Sequence, residues 1–404
     1  MSSQLPLTGI RVIEMGQLLA GPFTGTLLAY FGAEVIKIEP PKGDPIRQWR
    51  ALDKDGTSYW WRSLGRNKKC ITLNLREEKG RALAKQLIDS SQVLIENFRP
   101  GTMEKWGLGP EVFKQHHPNL VYARISGYGQ TGPYAHKPGY ASVTEGIGGL
   151  RYVNGHPGEP PVRTNLSLGD TLAGLHTAFG IVLALLQVQK GGTGQVVDVA
   201  LFEAIFNLLE GVIPEFSGAN IVREPSGTTV TGIVPTNTYA TSDGHYVVIG
   251  GNGDSIYRRL MLAAGHPELA NHPEMAANPG RVKHEATIDA ALKGWCAQHT
   301  REYILHTLAE AEVPAGPIYS VADMFADAHF HERQLFETVE INGAPLQIPA
   351  LIPKLASTPG RTQWPGPELH AHNEEVLLPL LKNDAEEYAA LVASGIIGSQ
   401  TTNT

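Results

Sequence analysis

A chain of 404 residues with 33 Lys plus Arg against 40 Asp plus Glu carries a net charge of −7, which excludes a nucleic-acid binder with a broad basic face and leaves any anionic ligand to a local basic pocket. The length exceeds one typical core, so two domains are expected, and 42% hydrophobic residues are ample to fill both. The two cysteines, Cys70 and Cys296, form no CxxC, which excludes a disulfide framework or a cysteine metal site and points to a reducing cytoplasm.

The N-terminal "MSSQLPLTGIRVIEMG" lacks the basic start and unbroken apolar run of a secretory signal. "IRVIEM", "EVIKIE", "CITLNL", "QVLIENF" and "LVYARIS" predict strands, and segments such as "EEKGRALAKQLIDS" predict helices between them. That alternation is the pattern of a parallel α/β sheet over the first 200 residues. The stretch 171–189 is uncharged and long enough to prompt a membrane check, but Thr171, His176, Thr177, Gln187 and Gln189 interrupt it. Leu172, Leu175, Phe179, Val182, Leu183 and Leu186 fall at helical spacing and predict a buried core helix. After the helical "LFEAIFNLLEG", the stretch "TNTYATSDGHYVVIGG" has two strand-like halves around Asp243-Gly244, a hairpin signature, and a second domain is expected from about residue 225. Helix-like segments at 254–264 and 281–312 follow, then a Pro-rich stretch and a final helix from about residue 373.

Asp170, in "VRTNLSLGDTLAG", sits where a loop hands over to an apolar helix. It suits an N-cap, since its oxygen can accept a free N–H of the first turn. It equally suits a nucleophile, kept ionised by the positive end of the helix dipole. The opening βαβ places Glu39 where a ribose-binding acid would sit in a dinucleotide fold, but "GQLLAGP" is not G-x-G-x-x-G. Glu39 is then a surface acid or a strand-end hydrogen-bonder. No Gly-Lys dipeptide and no G-x-S-x-G occur, which removes the Walker A loop and the hydrolase elbow. The pairs His329/His331 and His370/His372 have no H-E-x-x-H context and read as solvated surface histidines, so no metal is expected. "RNKK", residues 66–69, with Arg76 beyond it, is either a solvated charge run or a phosphate-gripping patch at the sheet edge. In "IGGNGDS", Gly250, Gly251 and Gly253 serve a tight turn or a mobile lid whose amides meet a carboxylate.

Taken together, "GQLLAGPFTGTLLAYFGAEVIKIEPPKGD", "ENFRPGTMEKWGLG", "ISGYGQTGPYAHKPGY" and "PVRTNLSLGDTLAG" strongly resemble the class III CoA-transferases, the formyl-CoA transferase or CaiB/BaiF type, in order and at matching spacing over nearly the whole chain. The resemblance implies an α/β fold: a large Rossmann-like domain (1–224) to which a C-terminal segment (321–404) returns, a smaller α+β domain (225–320), and an interlocked homodimer. It implies that Asp170 is the nucleophile, with capping as a concurrent role. It brings Gln17, Leu18, Leu19 and Ala20 to the CoA site, Leu73 and Arg76 toward the adenine and phosphates, and Asn97, Phe98, Arg99, Lys105, His136, Lys137 and Tyr140 to the same ligand. It assigns the lid to Gly250, Gly251 and Gly253. One departure is Pro40, which stands just after "VIKIE" where some relatives have arginine.

The implied activity is transfer of CoA from an acyl-CoA donor, succinyl-CoA being common in the family, to a short carboxylic or dicarboxylic acid, through an aspartyl anhydride and an aspartyl-CoA thioester. CoA thioester is substrate, with no tightly bound cofactor, no nucleic acid and no membrane. The α-methylacyl-CoA racemase branch shares the CoA site but needs Gly-His-Asp where this chain has Gly139-Tyr140-Ala141. A nicotinamide oxidoreductase rests only on the βαβ, and a non-catalytic CoA-binding scaffold only on discounting Asp170.

Overall fold

The computed structural model describes residues 4–399. Two compact units are built from interleaved chain: of the described residues, one takes those up to 150, 164–210 and those from 331 onward, the other 151–163 and 211–330.

In the first unit the five expected strands form as β1 (Arg11–Glu14), β2 (Glu34–Glu39), β3 (Lys68–Thr72), β4 (Val93–Glu96) and β5 (Val121–Ser126), and a sixth, β6 (Val196–Ala200), joins them. All pairs are parallel in the order β3-β2-β1-β4-β5-β6. Val, Ile and Leu dominate because both faces of such a sheet are covered. On one face Ile13, Ile36, Ile71, Leu94 and Tyr122 join Leu83, Leu87 and Ile88 of the Glu78–Asp89 helix in one core cluster. On the other, Val12, Val35, Val93, Val121 and Ala123 meet the Ala20–Tyr30 and Leu168–Gln189 helices.

The Leu168–Gln189 helix corrects an expectation. It turns its small residues inward, with Ala173, Gly174, Thr177 and Ala178 buried, while Leu175, Phe179, Val182, Leu183 and Leu186 are exposed, Phe179 by 63%. Close approach explains the inversion. A β-carbon on Gly174 would lie 2.9 Å from the Ala20 carbonyl oxygen, and Thr24 Oγ1 donates to the Gly174 carbonyl at 3.1 Å. The helix is long and apolar enough to cross a membrane by composition, yet its small-residue face is packed against this unit.

The "RNKK" stretch is also corrected: it is scaffold, not a phosphate patch. Arg66 and Lys68 are fully buried, Arg66 donating to the Ser63 and Pro349 carbonyls and Lys68 to the Pro22 carbonyl, while Lys69 pairs with Glu34 and Glu375. The C-terminal segment adds a hairpin, β10 (Phe336–Ile341) with β11 (Ala344–Pro349), and helices Asn373–Leu377 and Ala385–Ala393 in place of one final helix.

In the second unit, β7 (Thr236–Ala240) and β8 (Tyr246–Gly250) form the expected hairpin, extended by β9 (Ala315–Pro317). The 281–312 pattern divides into shorter helices, Glu285–Cys296 and Arg301–Glu310 among them, whose Ile288, Leu292, Ile304 and Leu308 share a core with Val247 and Ile249.

Candidate active site

The strand order reverses between β1 and β4, the place where open α/β sheets leave a crevice beyond their C-terminal ends. From β1 the chain runs through Gly16-Gln17-Leu18 into the Ala20–Tyr30 helix. Asn97, just past β4, grips this turn like a neighbouring strand: the Gln17 N–H donates to Asn97 Oδ1 at 2.8 Å, and Asn97 Nδ2 donates to the Gln17 carbonyl at 2.8 Å. Leu18 adopts a left-handed conformation, φ +64°, at a cost of about 1–2 kcal/mol for a residue with a β-carbon. The cost is offset locally, since its N–H donates to both Asp44 carboxylate oxygens at 3.0 and 3.1 Å.

Behind the turn lies a closed ion network. Lys37 Nζ donates to the Gly16 carbonyl at 2.6 Å and contacts Glu14 and Asp44, each at 3.0 Å; all three side chains are buried. Burial alone would lower the Lys37 pKa, but Glu14, Asp44 and Glu39 outweigh it and raise it. Lys68 reaches Glu14 at 2.8 Å. Burial dominates there and lowers the Lys68 pKa. Glu39 is not a surface acid: it accepts two bonds from Arg47 at 2.7 Å and one from the Asp44 N–H, the strand-end role.

Above this network a cavity of about 250 Å³ is lined by Gln17, Leu18, Ala20, Asn97 to Pro100, Ile125 to Gly127, Lys137 to Tyr140, Leu201 and Asp170. Asp170 is in the first turn of the Leu168–Gln189 helix rather than at its N-cap, which is Ser167 and makes no side-chain cap hydrogen bond, so the expected N-cap position is corrected. The neighbouring Gly169 N–H is taken instead by buried Glu145, whose Oε1 accepts it at 3.3 Å. A carboxylate in a first helical turn faces the positive end of the helix.

Of the residues singled out in the sequence, Gln17, Leu18, Ala20, Asn97, Phe98, Arg99, Lys137, Tyr140 and Asp170 share this cavity. Leu19 packs with Ile46 and Trp61, and Leu73 belongs to the core around β3. Arg76, Lys105 and His136 are exposed and outside the lining. The Arg76 backbone N–H donates to Asn74 Oδ1 at 3.2 Å. Tyr140 is 70% exposed, and Lys137 Nζ stands 3.5 Å from the Tyr134 ring centroid. Lys37 and Asp44, which hold the turn, and Ser126, Gly127 and Leu201 in the lining were not singled out; the only sequence signal for the wall was a strand ending in "ISGYG".

The glycine loop belongs to the second unit. The Gly250 and Gly251 N–H groups already donate to the Pro314 and Pro235 carbonyls at 2.9 Å, and Gly253 precedes the Asp254–Ala263 helix. A β-carbon on Gly251 would fall 2.3 Å from Leu260 Cδ2, so a packing need accounts for that glycine. Arg281, fully buried, donates to the Asn252 carbonyl at 2.7 Å and to Asp254 at 2.8 Å, tying down the loop base.

His329 and His331 are exposed, whereas His370 and His372 are not solvated surface residues. His372 Nδ1 accepts the Cys70 N–H at 3.1 Å and His370 meets Thr72 Oγ1 at 2.9 Å, securing the C-terminal segment to β3. Burial lowers the pKa of both. Among the described residues no three His, Cys, Asp or Glu side chains converge as a metal site.

Comparison with known proteins carries the same arrangement further. The sequence profile of CoA-transferase family III matches residues 7–373. The succinyl-CoA–D-citramalate CoA-transferase of Chloroflexus aurantiacus is 43% identical over 402 residues, covering 98% of this chain and all of that one. The succinyl-CoA–L-malate CoA-transferase alpha subunit of the same organism is 40% identical over 398 residues, covering 98% of this chain and 93% of the other. Among solved structures, a CaiB/BaiF family protein from Brucella suis superposes with a TM-score of 0.82 at 33% identity, covering 94% of this chain and all of that one. With a family match spanning the crevice residues, the Asp170 turn and most of both units, the chain belongs to CoA-transferase family III.

Proposed function

We propose that this enzyme moves CoA from succinyl-CoA to a short dicarboxylic acid, with Asp170 as covalent nucleophile. The observation that carries the reading is that the Asp170 carboxylate, in a first helical turn, lines the same cavity as the Gln17-Leu18 turn, the Asn97–Pro100 strand end and Lys137. At about 250 Å³ the cavity suits the acyl end of a thioester, being smaller than the roughly 300–1,000 Å³ of pockets that enclose a drug-sized ligand. The donor and acceptor classes are supported by the citramalate and malate transferases to which the chain is similar.

In this mechanism an Asp170 oxygen attacks the thioester carbonyl carbon and expels CoA thiolate, leaving an aspartyl anhydride. The thiolate then attacks the Asp170 carbonyl and releases succinate, giving an aspartyl-CoA thioester. The acceptor carboxylate attacks that thioester, and the returning thiolate takes the acceptor acyl group from the second anhydride, restoring Asp170. Anhydrides hydrolyse readily, so water must be excluded while they exist. With the Gly250 and Gly251 amides committed to their own sheet and the Asn252 carbonyl held by Arg281, the lid role within "GGNGD" is left to Gly253. A racemase reading is disfavoured by Tyr140, a phenol where that chemistry needs an imidazole.

The proposal includes an interlocked homodimer, supported by the exposed apolar row Leu175, Phe179, Val182, Leu183 and Leu186. It places the enzyme in a reducing cytoplasm, supported by two buried free cysteines. The decisive experiment supplies succinyl-CoA with citramalate, malate, an unsubstituted diacid or the betaine carnitine, the acids carrying heavy carboxylate oxygens. Diacids are expected to accept CoA and to leave one heavy oxygen on the Asp170 peptide. Acceptance by carnitine alone would overturn the substrate class. Sustained turnover with an unlabelled peptide would overturn the covalent mechanism.

A further inference from the structure

Ser126 ends β5, and its residue is 7% exposed. Its Oγ is buried, and among the described residues it meets no hydrogen-bond partner, yet the residue lines the cavity that holds Asp170. A buried hydroxyl left unpaired is destabilising, and alanine would serve a strand end as well, so the hydroxyl calls for a partner outside the fold. The polar groups nearest along the chain are already engaged. Arg124, two residues earlier, donates to Glu96 at 2.7 Å and Glu104 at 2.8 Å, and Glu96 Oε2 accepts the Phe98 N–H at 2.8 Å. The wall cannot simply fold inward to satisfy the hydroxyl, because Gly127 crosses Gly139 so closely that a β-carbon would lie 2.9 Å from Gly139 Cα.

We infer that Ser126 is a substrate-binding residue: its O–H donates a hydrogen bond to an oxygen of the acyl group being transferred at Asp170. The inference rests on the CoA-transfer reading and names a contact that reading does not contain. When the Asp170 oxygen bonds to the acyl carbon, the carbonyl electron pair moves onto oxygen and the CoA thiolate leaves. The serine keeps its proton throughout and acts only as donor. Its donor and the helix end carrying Asp170 thus meet the acyl group from two elements of the first unit, β5 and the Leu168–Gln189 helix.

The test compares wild type, Ser126→Ala, Ser126→Cys and Asp170→Asn in succinyl-CoA-dependent transfer, with melting temperatures alongside. Ser126→Ala is expected to lose on the order of 10- to 100-fold in kcat/KM with a melting temperature equal to or above wild type. Ser126→Cys, with similar shape and a weak donor, is expected to stay near the alanine variant. An alanine variant within twofold of wild type overturns the inference, as does full recovery by cysteine, since volume rather than donation would then matter. A loss of activity matched by a lower melting temperature overturns it too, because the hydroxyl would be structural. Wild type without transfer activity, or Asp170→Asn with undiminished activity, would instead strike the CoA-transfer reading itself.

Discussion

Two polar regions lie against the same backbone turn and treat charge in opposite ways. Behind Gly16-Gln17-Leu18, the side chains Glu14, Lys37, Asp44 and Lys68 are buried and meet one another or a main-chain carbonyl. In front of it, Asp170, Lys137 and Ser126, whose hydroxyl is buried without a partner among the described residues, belong to the lining of an open cavity. A buried ion pair adds little net stability over an apolar one, but removing one member leaves a bare charge. The rear network therefore fixes a geometry, including a left-handed Leu18, and the front region is where the proposed reaction is placed.

The sharpest way to test that division is to neutralise one charge in each region. In front, Asp170→Asn removes the proposed nucleophile and keeps the shape. Transfer should fall roughly a thousandfold or more, as when other catalytic nucleophiles are removed. Stability should change by no more than about 1 kcal/mol, the size of a first-turn charge–dipole interaction. Steady-state kinetics and thermal melting on one preparation read both. A large loss of stability would mean that Asp170 belongs with the scaffold.

At the rear the signs should reverse. Lys37→Met leaves Glu14 and Asp44 facing each other without their shared cation and frees the Gly16 carbonyl. Unfolding in denaturant should show a loss of about 3–5 kcal/mol. Whatever fraction remains folded should still transfer CoA, because Lys37 does not line the cavity. A stable but inactive Lys37→Met protein would break the comparison.

These two regions also differ in what the sequence reveals. Short apolar runs between helix-like segments were enough for five of the six large-sheet strands, and the turn at Asp243-Gly244 for the Thr236–Gly250 hairpin, because each is a local property of the chain. Val196–Ala200 is not legible as a strand, because five residues with a central Asp198 carry little strand signal of their own. "RNKK" looked solvated because its partners Glu14, Glu34, Glu337 and Glu375 are contributed by distant parts of the chain. Helical spacing identified the Leu168–Gln189 helix but not its inner face, since the usual rule of large residues inward fails where Gly174 must touch the Ala20 carbonyl. The cavity residues gathered from four motifs came from family resemblance. Lys37, Asp44 and Ser126 lie inside the same quoted stretches, but nothing local sets them apart from their neighbours, because their roles depend on contacts made only in the folded chain.

Glu96 stands at the border of the two regions and sharpens the contrast through pH. It is buried at the end of β4; burial pushes its pKa up to about 7, against the lowering effects of Arg124 and of the Phe98 N–H. The folded protein thus keeps a proton that the unfolded chain releases near the ordinary value of 4.5. Stability from this group is full below about pH 4.5 and is lost as pH rises through about 7. Glu96→Gln cannot titrate. The difference in unfolding free energy between wild type and variant should therefore shift by on the order of 1–3 kcal/mol across that window, wild type declining relative to the variant. His370 and His372 are common to both proteins and cancel. A difference that stays flat from pH 4.5 to 7 would show that Arg124 holds Glu96 ionised throughout.

The smallest expected effect tests the turn itself, where rear meets front. Asn97→Ala removes both hydrogen bonds to the Gln17 main chain but leaves Asp44 on the Leu18 N–H and Lys37 on the Gly16 carbonyl. The turn then stays anchored from behind and loosens only on the cavity side. Each lost bond is worth about 0.5–1.5 kcal/mol, so kcat/KM for the acyl-CoA donor should fall roughly tenfold. Most of the fall should lie in KM, because a mispositioned binding turn weakens ground state and transition state alike while Asp170 and its helix are untouched. Water can reach the half-buried Gln17 amide and carbonyl, which keeps the stability loss within about 1–2 kcal/mol. If kcat fell instead, with KM unchanged, Asn97 would contact the reacting atoms directly, and the boundary between a positioning rear and a reacting front would have to move forward past this residue.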